Sequence, residues 1–308
     1  MGKDKSTLPA LKLSFSAGRE PNEDIAVCLR RGGVRLLAAF DGCGGVGGRR
    51  YPQMDNRTGA QIASGLYAGC LREWFKENAA ALPREKTAEE LNALFAGAAR
   101  ECHAKYLTHA PSAVTGSMVR TLPSTAAIAF VYQKKAALYW AGNTRAYLLS
   151  KNGLRQLTRD DYFTRCDAYE SLYLDAPIAN YLCADRSFGL HEKTVVLPKK
   201  GVLALATDGA YHALPTPMHF EALLLDALFP SSAKKQWKKR LREGLLARAA
   251  DDVTLVLQPF GFSEYAELGP YFDKRRRHVN QAYILPADQA GQDDRLALKA
   301  LWELYQKE

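Results

Sequence analysis

The stretch LLAAFDGCGG, residues 36–45, decides how this chain of 308 residues is expected to fold. Its apolar half predicts a buried strand, and Asp41 followed by small residues predicts a tight turn where that strand ends. Asp-Gly is a common hairpin signal, which is the simplest explanation. A carboxylate beside backbone that carries little side-chain bulk is also typical of a metal ligand. One copy cannot decide between the two, so equivalent carboxylates elsewhere in the chain become the test.

Acidic residues stand at predicted strand boundaries in three further segments that lie far apart in the sequence. These are REPNEDIAVCL (19–29) with Glu23 and Asp24, VLALATDGAY (202–211) with Asp208, and ARAADDVTLVL (247–257) with Asp251 and Asp252. Several carboxylates at one edge of stacked sheets repel one another unless a cation lies between them. Oxygen donors without His or Cys favour Mg²⁺ or Mn²⁺, so the pattern predicts a site for such ions. For any single Asp, a turn or strand-end role is the alternative.

The composition excludes several classes of protein. A hydrophobic content of 47% and a charged content of 24% are typical of a globular protein, and no apolar run is long enough to span a membrane. The first residues lack the apolar core of a secretory signal, so we expect a cytoplasmic protein with no membrane partner. Six scattered cysteines form no C-x-x-C pair, which predicts reduced thiols.

The net charge is 42 − 33 = +9, and basic residues cluster in KKQWKKRLR (234–242) and DKRRRHV (273–279). Such a charge would suit a nucleic acid, but it would equally suit an acidic or phosphorylated substrate. No zinc-finger or RNA-binding signature accompanies either run. The first run predicts the solvated face of a helix and the second a short surface patch. A nucleic-acid partner is therefore the weakest hypothesis, and it gives no reason for the Asp-Gly pairs.

The predicted elements follow the order strands, two helices, a meander of strands, further strands, a helical segment and a last strand. The predicted helices are 59–78, 87–107 and 219–249, with a terminal helix within 288–308. Thr87 followed by Glu90 resembles a capping box for the second helix. Asn152-Gly153 between two strand-like runs predicts a hairpin. This order predicts an α+β fold with largely antiparallel sheets and helices packed on them.

Six short segments, in this order, resemble the motifs of the metal-dependent Ser/Thr protein phosphatases of type 2C. They are REPNED (19–24), FDGCGG (40–45), PSTAAIAFV (123–131), WAGNTRAYLLSKNGLRQLTRD (140–160), LALATDGAY (203–211) and DDVTLVL (251–257). Each segment alone is a weak signal, whereas six in the family's order are specific. The resemblance implies a four-layer α/β/β/α sandwich, in which helices flank two mainly antiparallel sheets.

The resemblance also implies how the chain is divided. A phosphatase-like domain is expected over residues 1–258, with a variable flap at about 162–190 beside the metals. Residues 259–308 form a C-terminal extension, whose terminal helix either packs on the domain or binds a partner. From position alone, four flap residues are hypothesised to touch the substrate. They are Arg165, Asp167, Tyr169 and Arg186.

Carried over residue by residue, the resemblance implies two bound Mn²⁺ or Mg²⁺ ions. Asp41 would bridge both ions. Glu23 and the carbonyl oxygen of Gly42 would complete the protein ligands of one ion, and Asp208 and Asp251 would hold the other. The bare glycines beside Asp41 would then let the backbone approach a metal closely.

Other residues are expected around these ligands. Arg19 would bind the substrate phosphate with its planar guanidinium group, and Asp24, Asn143 and Asp252 would support the ligands from behind. Asn143 stands where some relatives have an Asp that helps hold a third ion, which argues against a third ion here. Cys43 stands where some relatives have a His that is a candidate acid for the leaving group, and a thiol is a poor acid at neutral pH.

The loop after the glycines carries Arg49, Arg50 and Arg57. A solvated loop and attraction of the substrate phosphate explain these three residues equally well.

The function implied by the resemblance is that of a protein Ser/Thr phosphatase, in which a metal-bridged hydroxide hydrolyses phosphoserine or phosphothreonine. Its partners would be a phosphorylated protein and, as a further candidate, a cognate Ser/Thr kinase. The alternative is a catalytically silent module that binds a partner. Asn143 and Cys43 favour that alternative. It is opposed by the intact carboxylates of Glu23, Asp41, Asp208 and Asp251.

Overall fold

Two five-stranded antiparallel sheets form the centre of the fold. The computed structural model describes residues 8–17, 21–107, 120–174, 176–229 and 231–308. Its strands are β1 (Leu11–Phe15), β2 (Asp24–Arg31), β3 (Val34–Gly42), β4 (Arg50–Tyr51), β5 (Arg57–Thr58), β6 (Ser124–Tyr132), β7 (Lys135–Ala141), β8 (Arg145–Ser150), β9 (Gly153–Gln156), β10 (His191–Val196), β11 (Gly201–Ala206) and β12 (Val253–Phe260). One sheet has the order β1-β12-β11-β8-β9 and the other β10-β7-β6-β3-β2, while β4 and β5 form a separate hairpin. The prediction of two mainly antiparallel sheets is confirmed.

Helices cover the outer face of each sheet. The α-helices of the described residues are α1 (Gly44–Gly47), α2 (Gly59–Asn78), α3 (Thr87–Cys102), α4 (Asp208–Tyr211), α5 (Pro217–Leu228), α6 (Lys234–Leu246), α7 (Leu268–Val279), α8 (Leu285–Ala290) and α9 (Arg295–Tyr305). Helices α2 and α3 pack on the sheet that contains β3, and α5, α6 and α7 pack on the sheet that contains β11. This arrangement confirms the four expected layers. No helix in the described part of the chain is long and apolar enough to cross a membrane.

Strand β3 shows why the apolar stretch carries no polar side chain before Asp41. Leu36 and Phe40 face the helices, whereas Leu37 and Ala39 face the other sheet. Because successive side chains of a strand point to opposite faces, a strand covered on both faces reads as one apolar run. Asp41 follows that run as a part-buried residue, at the edge of the sandwich.

A capping box begins α2 at Thr58. The Thr58 hydroxyl accepts the N–H of Gln61 at 3.1 Å, and the Gln61 side chain accepts the N–H of Thr58 at 3.0 Å. The capping box predicted at Thr87 and Glu90 is wrong. The Thr87 hydroxyl bonds to the backbone of Arg84, and Glu90 forms an ion pair with the Arg84 guanidinium group. Arg84 therefore contacts both residues of the expected capping box, Thr87 through its backbone and Glu90 through its side chain.

The two basic runs have different structural roles. Residues 234–242 lie in α6, where most Lys and Arg side chains are exposed, as predicted. Residues 273–279 lie in α7, where Lys274, Arg277 and His278 are exposed. Arg275 is instead buried in an ion pair with Glu221, with two N···O distances of 2.9 Å. The expected patch is therefore smaller than the sequence indicates.

Glu308 fastens the C-terminal helices to α7. Its carboxylate lies 2.5 Å from Arg275, 2.6 Å from the Tyr283 hydroxyl and 2.7 Å from His278. Burial would raise the pKa of Glu308, but these three contacts outweigh burial and lower the pKa to about 2. A carboxyl group with a lowered pKa in the folded state stabilises the fold above its unfolded pKa, and that contribution is lost as pH falls.

Replacing Glu308 with Gln should destabilise the protein in a pH-dependent way. At pH 7 we expect a loss of about 1 kcal/mol in the free energy of unfolding, because the carboxylate is partly exposed and its contacts are screened by water. The difference from the parent should shrink as the pH falls from 4.5 to about 2. Urea unfolding across this range measures it, with Glu303→Gln at an exposed position of α9 as control. A difference that is constant with pH would contradict this account.

Candidate metal centre

Antiparallel pairing brings the ends of distant strands to one edge of the sandwich. Strand β3 ends at Asp41 and Gly42, and its register with β2 sets Asp24 directly opposite Asp41. On the other side of β3, Asp41 is opposite Thr125 at the start of β6. In the facing sheet, β11 ends just before Asp208, which opens the short helix α4. Carboxylates that the sequence separates widely therefore lie at the same edge.

Six predicted carboxylates surround a single pocket of about 420 Å³. They are Glu23, Asp24, Asp41, Asp208, Asp251 and Asp252. Gly42 and the two glycines that follow also line this acidic pocket, together with Thr58, Thr125 and Ile178. Arg19, the predicted phosphate ligand, lies outside the described residues.

Asp24 is held by hydroxyl groups. It is 5% exposed and accepts a hydrogen bond of 2.7 Å from Thr207. The same Thr207 oxygen accepts the N–H of Thr254 at 2.9 Å and so connects the site to β12. Burial raises the pKa of Asp24 well above its ordinary value, the Thr207 hydrogen bond opposes that rise, and the charge of Asp208 adds to it. The role of Thr207 has no sequence signal, because its partner is distant in the chain.

Glu23 is fixed through both its side chain and its backbone. The Thr58 hydroxyl donates to Glu23 Oε1, which links the site to the start of α2. The backbone N–H of Glu23 donates to Asp252 Oδ2 at 2.6 Å, and the N–H of Asp252 donates to Asp251 Oδ1 at 2.8 Å. Asp252 thus supports its acidic neighbours through the backbone. Thr58 itself has a sequence signal, because Thr58 followed three residues later by Gln61 is typical of a helix cap.

Asn143 lies behind the acidic pocket and is 3% exposed. Its side-chain N–H donates to Asp208 Oδ2 at 3.0 Å, and its backbone carbonyl accepts the hydroxyl of Tyr211 at 2.8 Å. An amide in this place orients the Asp208 carboxylate, whereas a second carboxylate would repel it. The Oδ1 atom of Asn143 is buried and has no hydrogen-bond partner among the described residues.

The carboxylates that line the acidic pocket repel one another. Burial raises the pKa of Asp41 well above its ordinary value, and the charges of Asp208, Asp24 and Asp251 raise it further. The pKa of Glu23 is raised by burial too, although the Thr58 hydrogen bond opposes the rise. Divalent cations would relieve this repulsion more effectively than protons at neutral pH.

The donor set fits hard divalent cations. Every candidate ligand atom is a carboxylate or carbonyl oxygen. A Cβ at Gly42 would lie 2.5 Å from the carbonyl oxygen of Ala60 and 2.9 Å from that of Glu23, so only glycine fits this part of the wall. Among the described residues, no three acidic, His or Cys side chains are already gathered around one point. The six carboxylates line the pocket without such a preformed cluster.

Cys43 fits neither a metal ligand nor an acid. Burial raises the pKa of its thiol well above the ordinary value, and the charges of Asp41 and Asp208 raise it further. A thiol that stays protonated is a poor ligand for a hard cation and a weak acid at neutral pH.

The three arginines of the loop after the glycines have different surroundings. Arg50 lines the acidic pocket, and its Nη1 atom donates to the backbone carbonyl of Asn56 at 3.0 Å. Arg57 pairs with the exposed Asp55 at 3.3 Å, and Arg49 lies over the ring of Tyr51. Of the two explanations left open for this loop, Arg50 therefore fits attraction of a phosphate and Arg57 fits a solvated loop.

The flap contributes Ile178 to the pocket wall. Two of the flap residues expected to touch the substrate face elsewhere: Asp167 accepts the indole N–H of Trp302, and the Tyr169 hydroxyl donates to the backbone of α9. Arg186 lies over the ring of Tyr181 and donates to a neighbouring carbonyl. Tyr169 is buried against α9 and Asp167 is engaged by Trp302 of the same helix, which argues against substrate contact at these two residues. Substrate contact by Arg165 and Arg186 stays a prediction.

Comparison with known proteins adds a family and a fold. The family model described as protein phosphatase 2C matches residues 16–246. Among solved structures, a bacterial serine phosphatase has a TM-score of 0.64 at 17% identity, covering 82% of this chain and 98% of that chain. The Ser/Thr phosphatase Stp1 from Staphylococcus aureus gives 0.61 at 16% identity, covering 84% and 98%. The Mycobacterium tuberculosis phosphatase PstP gives 0.61 at 20% identity, covering 82% and 99%. No curated protein matches the sequence significantly.

At such low identity the solved structures establish the fold alone, two antiparallel sheets flanked by helices. The family model covers most of the chain, however, and it decides the family. The chain belongs to the protein phosphatase 2C family, and it is a metal-dependent protein phosphatase.

Replacing Asp41 with Asn should raise stability while removing metal binding. In EDTA at pH 7 we expect a gain of about 1 kcal/mol in the free energy of unfolding, because a repelled carboxylate is lost and an amide can donate to Asp208. Mn²⁺ should raise the melting temperature of the parent but not of the variant. Thermal unfolding with and without Mn²⁺ measures both effects. Asp55→Asn, at an exposed position, is the control, and lower stability of Asp41→Asn in EDTA would refute the repulsion.

Proposed function

We propose that this phosphatase binds two divalent ions, Mn²⁺ or Mg²⁺, in the acidic pocket and hydrolyses phosphoserine and phosphothreonine in proteins. The observation that carries the proposal is the convergence of six carboxylates from four separate segments on one pocket. A further solved relative, the catalytic domain of PstP, is described as a complex with two manganese ions. A third ion is not part of the proposal, because Asn143 is neutral and its amide already donates to Asp208.

The proposed ligands divide between the two ions. Asp41 would bridge them, as the family resemblance implies, and it lines the same pocket as Asp208 and Asp251. Glu23 and the Gly42 carbonyl would complete one set of ligands, and Asp208 and Asp251 the other. When bound, the ions would supply the positive charge that makes the attacking water more acidic and neutralises the phosphate.

Arg50 is proposed to bind the substrate phosphate, and Arg19 remains the second candidate for this role. A phosphate dianion approaching the acidic pocket would be repelled by six carboxylates before the ions neutralise them. A guanidinium group at the pocket wall offsets that repulsion and offers planar N–H donors that match phosphate oxygens.

Water is proposed to protonate the leaving group. In the hydrolysis, water attacks phosphorus, the bond from phosphorus to the serine or threonine oxygen breaks, and that oxygen takes up a proton. Cys43 is unsuited to donate it because burial raises the pKa of its thiol. The products are inorganic phosphate and the free hydroxyl group, and no covalent enzyme intermediate forms.

The natural substrate is proposed to be a phosphorylated protein, with a cognate Ser/Thr kinase as a further partner. A cytoplasmic location stays a prediction. The silent-module alternative is not proposed, because Glu23, Asp41, Asp208 and Asp251 all line the pocket.

Hydrolysis of p-nitrophenyl phosphate tests the proposal. We expect turnover with Mn²⁺ or Mg²⁺, none with EDTA, and a loss of more than about 100-fold in the Asp208→Asn variant, because one set of ligands is broken. Circular dichroism and thermal unfolding check that the variant is folded. Full activity of a folded Asp208→Asn protein would refute the ligand assignment.

Replacing Arg50 with Ala should raise KM for a phosphopeptide by about three- to ten-fold while kcat changes little, because an exposed guanidinium contributes mainly to binding. Arg57→Ala is the matched control, since Arg57 pairs with Asp55. Initial rates over a range of phosphopeptide concentrations at saturating Mn²⁺ give both constants. An equal rise in KM for the two variants would mean that only net charge matters.

A further inference from the structure

The C-terminal helix α9 packs on the turn of the flap at residues 167–173. Trp302 and Leu298 of α9 share a buried apolar cluster with Tyr169 of the turn, and Tyr173 packs against it. The family match ends at residue 246, so α9 belongs to the part of this chain beyond it. The contact therefore joins a turn within the residues that the family model matches to a helix beyond them.

Polar contacts fix the turn to α9. The indole N–H of Trp302 donates to Asp167 Oδ2 at 3.0 Å, and the Tyr169 hydroxyl donates to the carbonyl of Arg295 at 3.0 Å. The other oxygen of Asp167 accepts the backbone N–H groups of Tyr169 and Glu170, both at 2.8 Å. One carboxylate thus shapes the turn and joins it to α9.

The turn then contacts a buried arginine. The Ser171 hydroxyl accepts a hydrogen bond of 2.7 Å from Arg145, which is 1% exposed. The same guanidinium group forms a close ion pair with Asp160 at 2.6 Å and lies 3.8 Å from the ring centre of Tyr211. A buried cation with this many partners has one well-defined position.

Tyr211 completes the connection to the acidic pocket. Its hydroxyl donates to the backbone carbonyl of Asn143 at 2.8 Å, and the Asn143 side chain donates to Asp208 at 3.0 Å. Contacts therefore run without a break from α9 through the turn, Arg145 and Tyr211 to a proposed metal ligand.

We propose that α9 positions Asp208 for metal binding, with Trp302 and Asp167 as the positioning residues. The inference rests on the proposed metal site. Asp208 lines the acidic pocket and one of its oxygens is held by the Asn143 amide, so a looser Asn143 would let this carboxylate turn away from a bound ion. By holding the turn whose Ser171 contacts Arg145, α9 limits that movement from beyond the residues that the family model matches.

Direct Mn²⁺ binding tests the inference without relying on catalysis. Trp302→Phe keeps an aromatic ring against Tyr305 but loses the N–H donor. Asp167→Asn would turn an amide N–H towards the indole N–H. Each variant should weaken Mn²⁺ binding by about two- to ten-fold in titration calorimetry, the range expected for one lost hydrogen bond. The double variant should be no weaker than either single variant, because both remove the same contact.

Trp237→Phe is the matched control, since it also removes a buried indole N–H donor, here to the carbonyl of Leu224 at 3.4 Å, in a core outside the cluster that α9 shares with the flap turn. It should leave Mn²⁺ affinity within two-fold of the parent at a comparable loss of stability. Hydrogen exchange of the metal-free proteins gives a second readout. Peptides that cover Asn143 and Asp208 should exchange faster in the Trp302 and Asp167 variants only.

The outcomes separate the two proposals. Absence of Mn²⁺ binding in the parent would overturn the metal site itself. Normal binding in the parent together with unchanged affinity and exchange in both α9-contact variants would overturn the positioning role alone. Equal weakening in Trp237→Phe would show that general stability is responsible and would also overturn it. If Trp302→Phe does not fold, Tyr169→Phe replaces it in the same measurements.

Discussion

Mutual repulsion among carboxylates is the constraint on which the rest of this structure depends. Asp41 and Asp24 stand opposite each other in adjacent strands, and Asp208 reaches them from the facing sheet. Without a cation this arrangement opposes folding, because burial and like charge both disfavour the ionised groups. The apolar layers between and outside the sheets have to outweigh that cost, and they do so with strands that are covered on both faces.

Uncharged hydrogen-bond donors stabilise the carboxylate cluster and fix the orientation of its side chains. Thr207 donates to Asp24, Thr58 donates to Glu23, and the amide of Asn143 donates to Asp208. Hydroxyl and amide groups fix a carboxylate without cancelling its charge, unlike an arginine or lysine. The negative charge of the pocket therefore remains available for cations, which is what a metal-dependent phosphatase requires.

Much of this could be predicted from the sequence because the signals are local. Each acidic residue follows or precedes an apolar strand, and the Asn152-Gly153 turn closes its hairpin as expected, with Ser150 paired to Gly153. A hydrogen bond between residues that are distant in the chain leaves no such signal. The bond from Thr207 to Asp24 is an example. The false capping box at Thr87 has a related cause, since Arg84 competes for the same groups. The sequence does not predict α7, because nothing in its run of charged residues distinguishes the buried Arg275 from the exposed charges beside it.

The connection from α9 to Asp208 illustrates how a segment outside a family domain can act on its site. The domain supplies the carboxylates, but their orientation depends on contacts behind them, and Arg145 is the buried point at which those contacts meet. A guanidinium group tolerates burial only if its partners stay in place. The flap turn supplies one of those partners, and α9 holds the turn. Under the proposed positioning role, changes in α9 would act on metal affinity before they act on the sandwich, because the cluster of α9 is separate from the cores of the two sheets.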